Sequence, residues 1–216
     1  MHITASEFKS FLHRVTLKVE EKKDDLSELD RKLGDGDHGV TMSLGWQAIE
    51  EKLHTDLKDE TDCGYICKEV GKAFINAVGS SVGPLYATGF LRGSRVLQNK
   101  SELTDDDLSA FWVAFIDGIQ QKGKAEIGEK TMIDTFMPAR NTLQERITAG
   151  DPFESAFEKA VQAGKKGMES TRDLISKKGR SSRLGSRSVG HQDPGATSAY
   201  LMLEVFLSTV RSAQRV

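Results

Sequence analysis

Apolar residues in this 216-residue chain recur at three- and four-residue spacing almost from end to end, a period that admits little besides helices. Thr4 with Glu7 three positions on has the form of a capping box, and Phe8, Phe11, Leu12, Val15 and Val19 follow as one stripe. A second, short helix is expected over Asp25–Leu33, and a third after the glycine-rich turn 34–39, ending near Leu53. Two more are expected over Gly64–Val78 and Pro84–Gln98. Thr104 and Asp107 cap another, with the stripe Leu108, Phe111, Trp112, Phe115 and Ile119, and Lys130–Thr148 forms the next. Asp151-Pro152-Phe153-Glu154 reads as a helix start with Asp as N-cap and Pro at the first position, its stripe running from Phe153 to Leu174. The segment from Ala196 to about Ser212 is apolar on most sides, so it is expected deep in the core. Period-2 runs of β-branched residues are absent and prolines number only four, so the fold class is all-α. With no composition break and no Ser/Gly linker, residues 1–216 read as a single domain.

Composition narrows the function classes. Hydrophobic residues at 38% and charged residues at 29% fit neither an integral membrane protein nor a disordered chain. The longest apolar stretch, Ala199–Leu207, is broken by Glu204 and falls far short of the roughly 20 residues a spanning helix needs. Met1–Thr4 carries no basic stretch before an apolar run, so no signal peptide is read and a cytoplasmic location is expected. Cys63 and Cys67 lack a partnering Cys or His cluster, which favours reduced thiols over zinc. The net charge of -2 excludes a whole-chain basic footprint for nucleic acid. That balance is uneven: Glu20–Asp37 holds eight acids against four bases, and Lys159–Arg187 holds nine bases against two acids.

The motifs fall in those two regions and between them. Asp30, Asp35 and Asp37 crowd three carboxylates into eight residues, a spacing that suits a shared hard cation such as Mg²⁺ and equally a solvated turn. An EF-hand is excluded, because its sixth and twelfth positions counted from Asp35 are Val40 and Trp46. His38 opens a helix, where its side chain and the Gly39–Thr41 amides could meet an anion. Gly123–Thr131 is like a P-loop but fails as one: Glu129 separates Gly128 from Lys130, and a helix precedes it. Arg180, Arg183 and Arg187 in a small-residue loop suit phosphate, an acidic partner surface or plain solvation. Asp193-Pro194 reads on its own as the N-cap of the last helix, and His2, His13 and His54 read as surface residues.

Five ordered blocks together say more: Leu-Gly-Asp-Gly-Asp-His-Gly (33–39), Gly-Pro-Leu-Tyr (83–86), Gly-Glu-Lys-Thr-Met-Ile-Asp (128–134), Gly-Arg-Ser-Ser (179–182) and Gly-His-Gln-Asp-Pro-Gly-Ala-Thr-Ser (190–198). In this order the chain resembles the dihydroxyacetone kinase L-subunit family over nearly its whole length. The resemblance implies a closed antiparallel barrel of eight helices with a nucleotide site at one rim. It implies that Asp30, Asp35 and Asp37 hold two Mg²⁺ ions bridging the phosphates of ADP or ATP. It places nucleotide contacts on His38, Gly39, Val40 and Thr41, on Ser81 and Val82, on Gly123, Met132 and Arg180, and on Asp193, Pro194 and Gly195. His38 and Arg180 join the two ions as the expected catalytic apparatus, since phosphoryl transfer is largely positioning and charge neutralisation. Two departures stand out. Val82 replaces the family's small hydroxyl residue before Gly-Pro, leaving backbone amides or Ser80 and Ser81 to serve; Ser186 replaces the acid of its usual Gly-Glu-Arg-Ser.

The resemblance implies partners as well: a separate K subunit that carries the ketose covalently, and a phosphohistidine protein of the sugar phosphotransferase system that recharges bound ADP. The stand-alone length points to that multi-subunit type. One alternative is an L subunit that exchanges free ATP and serves a longer ketose such as erythrulose. Another is a nucleotide-bound module that docks on a transcription regulator.

Overall fold

The computed structural model, which describes residues 2–213, has eight α-helices and two very short strands, one ahead of the first helix and one between the fourth and fifth. β1 (His2–Thr4) pairs antiparallel with β2 (Glu102–Thr104), Ile3 opposite Leu103, and both of those side chains are fully buried. Each strand runs straight into a capping box. Thr4 and Glu7 start α1 (Ala5–Arg31), and Thr104 and Asp107 start α5 (Asp105–Gly123). This ladder is the one addition to the all-α reading, which the helices otherwise bear out among the described residues. Three residues per strand are too few to display an alternation.

The remaining helices are α2 (His38–His54), α3 (Cys63–Ala77), α4 (Val82–Val96), α6 (Ile133–Thr148), α7 (Phe153–Ser170) and α8 (Pro194–Ala213). The first two expected helices are one. Glu20–Asp25 carries no apolar stripe, yet Lys18–Glu21 and Lys22–Asp25 pair at 3.0 Å each at i,i+3 spacing and α1 continues through it. α7 also starts later than expected, at Phe153. Asp151 does not cap it: its carboxylate accepts from Arg146 and Lys159 instead. Short 3-10 turns at Thr171–Asp173 and Arg180–Ser188 connect α7 to α8.

Each helix packs on the next in sequence, and α8 packs on α1 as well as α7. The interior is aromatic. Phe206 of α8 meets Phe11 of α1, Trp112 of α5 and Phe157 of α7 with ring centroids 4.9, 5.1 and 5.0 Å away, all at steep edge-on angles. The apolar character of α8 is explained by this position: it is buried on most sides. Cys63 and Cys67 are buried free thiols, and the Cys67 Sγ donates to the Phe90 carbonyl at 3.1 Å. Among the described residues no helix is long and apolar enough to cross a membrane.

Candidate functional site

The turn between α1 and α2 is organised by Asp30. Its carbonyl accepts the amides of Leu33 and Gly34, closing α1, while its buried carboxylate accepts the His38 amide at 3.2 Å, opening α2. Close helix packing holds this junction in place. A Cβ at Gly39 would lie 1.9 Å from the Lys23 carbonyl oxygen of α1, so only glycine lets the start of α2 approach so near. One carboxylate oxygen each from Asp30, Asp35 and Asp37 lies within 4.8 Å of the others. Three like charges at that range repel unless a cation is shared.

Arg180 supplies a cation from the far end of the chain. Its Nη2 donates to Asp37 Oδ1 at 2.6 Å and its Nη1 to Asp37 Oδ2 at 3.1 Å, and Nη1 also donates to Asp35 Oδ2. The hydrogen bonds from Arg180 hold the Asp37 carboxyl below the usual carboxylate range. His38 is buried beside this cluster, its Nε2 3.0 Å from Ser198 Oγ of α8. Burial pushes the imidazole pKa down to about 4, which leaves His38 neutral at pH 7.

These groups border a cavity of about 490 Å³, within the range usual for small-molecule sites. Of the residues expected from sequence, Asp30, His38, Ser81, Val82, Gly123 and Met132 line it, as do Arg180, Asp193, Pro194 and Gly195. Leu33, Leu85, Ile119, Ala125 and Ile133 add an apolar wall, and Lys122 and Lys178 add positive charge. Asp35 and Asp37 stand against Arg180 rather than in the lining. The structure does not bring Gly39, Val40 and Thr41 into it: Gly39 faces α1, Val40 is exposed, and the Thr41 amide bonds to the Asp37 carbonyl. Beside Val82, the Ser80 hydroxyl is buried without a hydrogen-bond partner.

Three residues escaped the sequence reading. The loop that imitates a P-loop already holds an anion, the protein's own Asp134, whose buried carboxylate accepts the Gly128 and Thr131 amides at 2.6 and 2.7 Å. Lys130 does not open α6 as expected; it has φ 62° and turns fully inward. Its ammonium donates to the carbonyls of Thr171, Leu174, Ser188 and His191, tying down both ends of the basic loop. Ser198 is the third, placed by α8 against His38. Asp193 caps α8 through the Ala196 amide at 2.7 Å, as its sequence position suggested, and burial lifts its carboxyl pKa to about 7.

The family model of the DAK2 domain matches residues 32–208, which is most of the chain. The chain belongs to the DAK2-domain family. The matched span takes in all five sequence blocks, and Asp30 falls just ahead of it. One DAK2-type relative is the ADP-binding subunit DhaL of PEP-dependent dihydroxyacetone kinase 2 from Listeria innocua, 38% identical over 197 residues that cover 90% of each chain. The corresponding subunit of the Escherichia coli K12 enzyme is 38% identical over 180 residues, covering 83% of this chain and 85% of that one. Among solved structures, the dihydroxyacetone kinase of C. freundii in complex with AMP-PNP and Mg²⁺ superposes with a TM-score of 0.69 at 22% identity. That match covers 93% of this DAK2-domain chain but only 33% of the kinase chain, and it fixes the fold.

Proposed function

We propose that this chain is the nucleotide-binding subunit of a phosphoenolpyruvate-dependent dihydroxyacetone kinase. It holds ADP or ATP in the 490 Å³ cavity and passes the γ-phosphoryl to a ketose carried by a separate K subunit. A phosphohistidine protein of the phosphotransferase system then recharges the bound ADP. The observation that carries this reading is the convergence of Asp30, Asp35 and Asp37 with Arg180 beside that cavity. The carboxylate set fits hard divalent cations: it is oxygen-only, and a guanidinium already sits where positive charge is needed. Bound there, two Mg²⁺ ions would neutralise phosphate charge, the main demand of phosphoryl transfer.

The chain's own residues do the rest. Neutral His38 offers a hydrogen bond at the start of α2 without adding charge, Arg180 provides a bidentate fork for phosphate oxygens, and the apolar wall of Leu85, Ile119 and Ile133 suits a base. Ser80 and Ser81 hold the hydroxyls that Val82 lacks, and of the two Ser81 lines the cavity. Residues 1–216 act as one domain, and the succession of packed neighbours, returning from α8 to α1, supports a closed antiparallel barrel with the nucleotide at one rim. Gel filtration of ADP-loaded protein in Mg²⁺ tests the reading. Retained ADP, and ketose phosphorylation only with the K subunit and phosphohistidine donor added, are the expected results. Free release with turnover on ATP selects the exchanging kinase, and binding to a transcription regulator with no phosphorylation selects the co-regulator. Absence of Mg²⁺-dependent ADP binding overturns all three.

A further inference from the structure

On the outer surface of α1 and α2, His13 and His54, which sequence alone leaves as unrelated surface residues, converge on Glu50. His13 of α1 places Nδ1 2.6 Å from Glu50 Oε1, and His54, four residues after Glu50 on α2, places Nε2 2.7 Å from the same oxygen. The two imidazoles meet edge-on with centroids 6.3 Å apart. One ligand atom from each of the three residues lies within 4.8 Å of the other two. The second carboxylate oxygen, Glu50 Oε2, is buried and has no hydrogen-bond partner.

We propose that His13, Glu50 and His54 form a binding site for a borderline transition-metal ion, Zn²⁺ in the first instance. Two imidazoles and one carboxylate with a water in the fourth position is a recurrent zinc donor set. Ligands roughly 2.0–2.1 Å from a tetrahedral ion stand about 3.3–3.4 Å apart, so small side-chain rotations suffice from the observed spacing. Both histidines are part exposed or exposed, which gives the ion a direct path from solvent and lets the rings turn. Binding through His13 Nδ1 and His54 Nε2 leaves each ring proton on the opposite nitrogen, or releases it where the ring was charged. A dication on the Glu50 carboxylate also compensates Oε2, an acceptor otherwise buried without a partner, which is a costly state.

The site is chemically and spatially separate from the aspartate cluster. Nitrogen donors discriminate against Mg²⁺, whereas Asp30, Asp35 and Asp37 offer oxygen alone. His54 lies 16 residues beyond His38 along α2, about 24 Å at 1.5 Å per residue. Its effect is structural: an ion here staples α1 to the C-terminal end of the helix whose other end carries His38.

Titration of chelator-treated full-length protein with Zn²⁺, in a large excess of Mg²⁺, tests the proposal, with Co²⁺ absorption as the second probe. One equivalent of Zn²⁺ should bind with a rise in Tm, and Co²⁺ should give the intense visible bands of a tetrahedral nitrogen-containing site. His13→Ala and His54→Ala should each weaken Zn²⁺ binding beyond the roughly 10–100-fold that follows loss of a mere outer-shell partner. Asp37→Asn should leave the bands in place. Zn²⁺ affinity unchanged in the His13→Ala/His54→Ala double variant overturns the proposal, as does loss of the Co²⁺ bands in Asp37→Asn alone. Helix content by circular dichroism establishes that each variant folds.

Discussion

Arg180 forks across Asp37, Nη2 to Oδ1 at 2.6 Å and Nη1 to Oδ2 at 3.1 Å, joining residues 143 positions apart in sequence. The same guanidinium reaches Asp35, so one side chain competes with any metal ion for two of the three carboxylates. Arg180→Gln is therefore expected to act in opposite directions on two ligands. Affinity for Mg²⁺ alone should rise, because Asp35 and Asp37 are released. Nucleotide affinity should fall roughly 10–100-fold, the equivalent of about 1.5–3 kcal/mol for a charged hydrogen bond. Calorimetric titrations with Mg²⁺ and with ADP separate the two effects; parallel changes would refute the competition.

Asp35→Ala and Asp37→Ala are each expected to abolish Mg²⁺-dependent ADP retention while leaving helix content near normal. Both side chains stand on the turn outside the helices, and neither is fully buried. Equilibrium dialysis with ADP checks this, and unchanged affinity in both variants removes the metal assignment.

Lys130→Met is expected to cost roughly 2–4 kcal/mol in chemical denaturation, because it leaves several buried carbonyls without their donor. The damage should concentrate in the segment those carbonyls belong to, residues 171–191. Limited proteolysis should cut there first. Cleavage elsewhere would show that Lys130 does not anchor the loop.

Asp193 makes stability depend on pH in a direction opposite to that of an ordinary paired carboxylate. Burial raises its folded-state pKa from 3.8 to about 7, so its contribution is fully present below the unfolded value and is lost as pH rises through the folded one. Asp193→Asn keeps a capping oxygen and removes the titration. In nucleotide-free protein, the Tm of the Asn variant should gain on the wild type between pH 4 and 7 and hold a constant lead above that. A difference that does not vary with pH would place the wild-type pKa near its ordinary value.

Gly39→Ala should cost more than the roughly 1–3 kcal/mol of ordinary overpacking, because its Cβ would meet the backbone oxygen of Lys23 at 1.9 Å rather than a movable side chain. The start of α2 must then move off α1 and carry His38 with it. A thermal melt and an ADP titration should both register the change, and a wild-type profile in each would contradict the packing argument.

What was legible in the sequence depended on separation along the chain. The helical stripes and the capping boxes at Thr4 and Thr104 are local, and the structure places helices and caps there. Asp30, Asp35 and Asp37 are local too, so their crowding could be read directly, whereas their ion pairs to Arg180 could not. The continuity of α1 was hidden because residues 20–25 are held helical by charge pairs and carry no apolar period. Lys130 was hidden for another reason: its surroundings imitate a phosphate loop, but Asp134 already occupies the loop amides. His13 and His54 are 41 positions apart, and no spacing rule connects them.

The small β1–β2 ladder has a reach out of proportion to its six residues. Because its strands run antiparallel, with Thr4 opposite Glu102 and His2 opposite Thr104, α1 and α5 depart from opposite ends of it, each through its own capping box. Aromatic rings of the two helices meet across the interior, Phe8 against Phe111 at 5.7 Å and Phe11 against Trp112 at 6.2 Å. The two strands act as a clasp that ties the start of the first helix to the start of the fifth, which lie 100 positions apart in the chain.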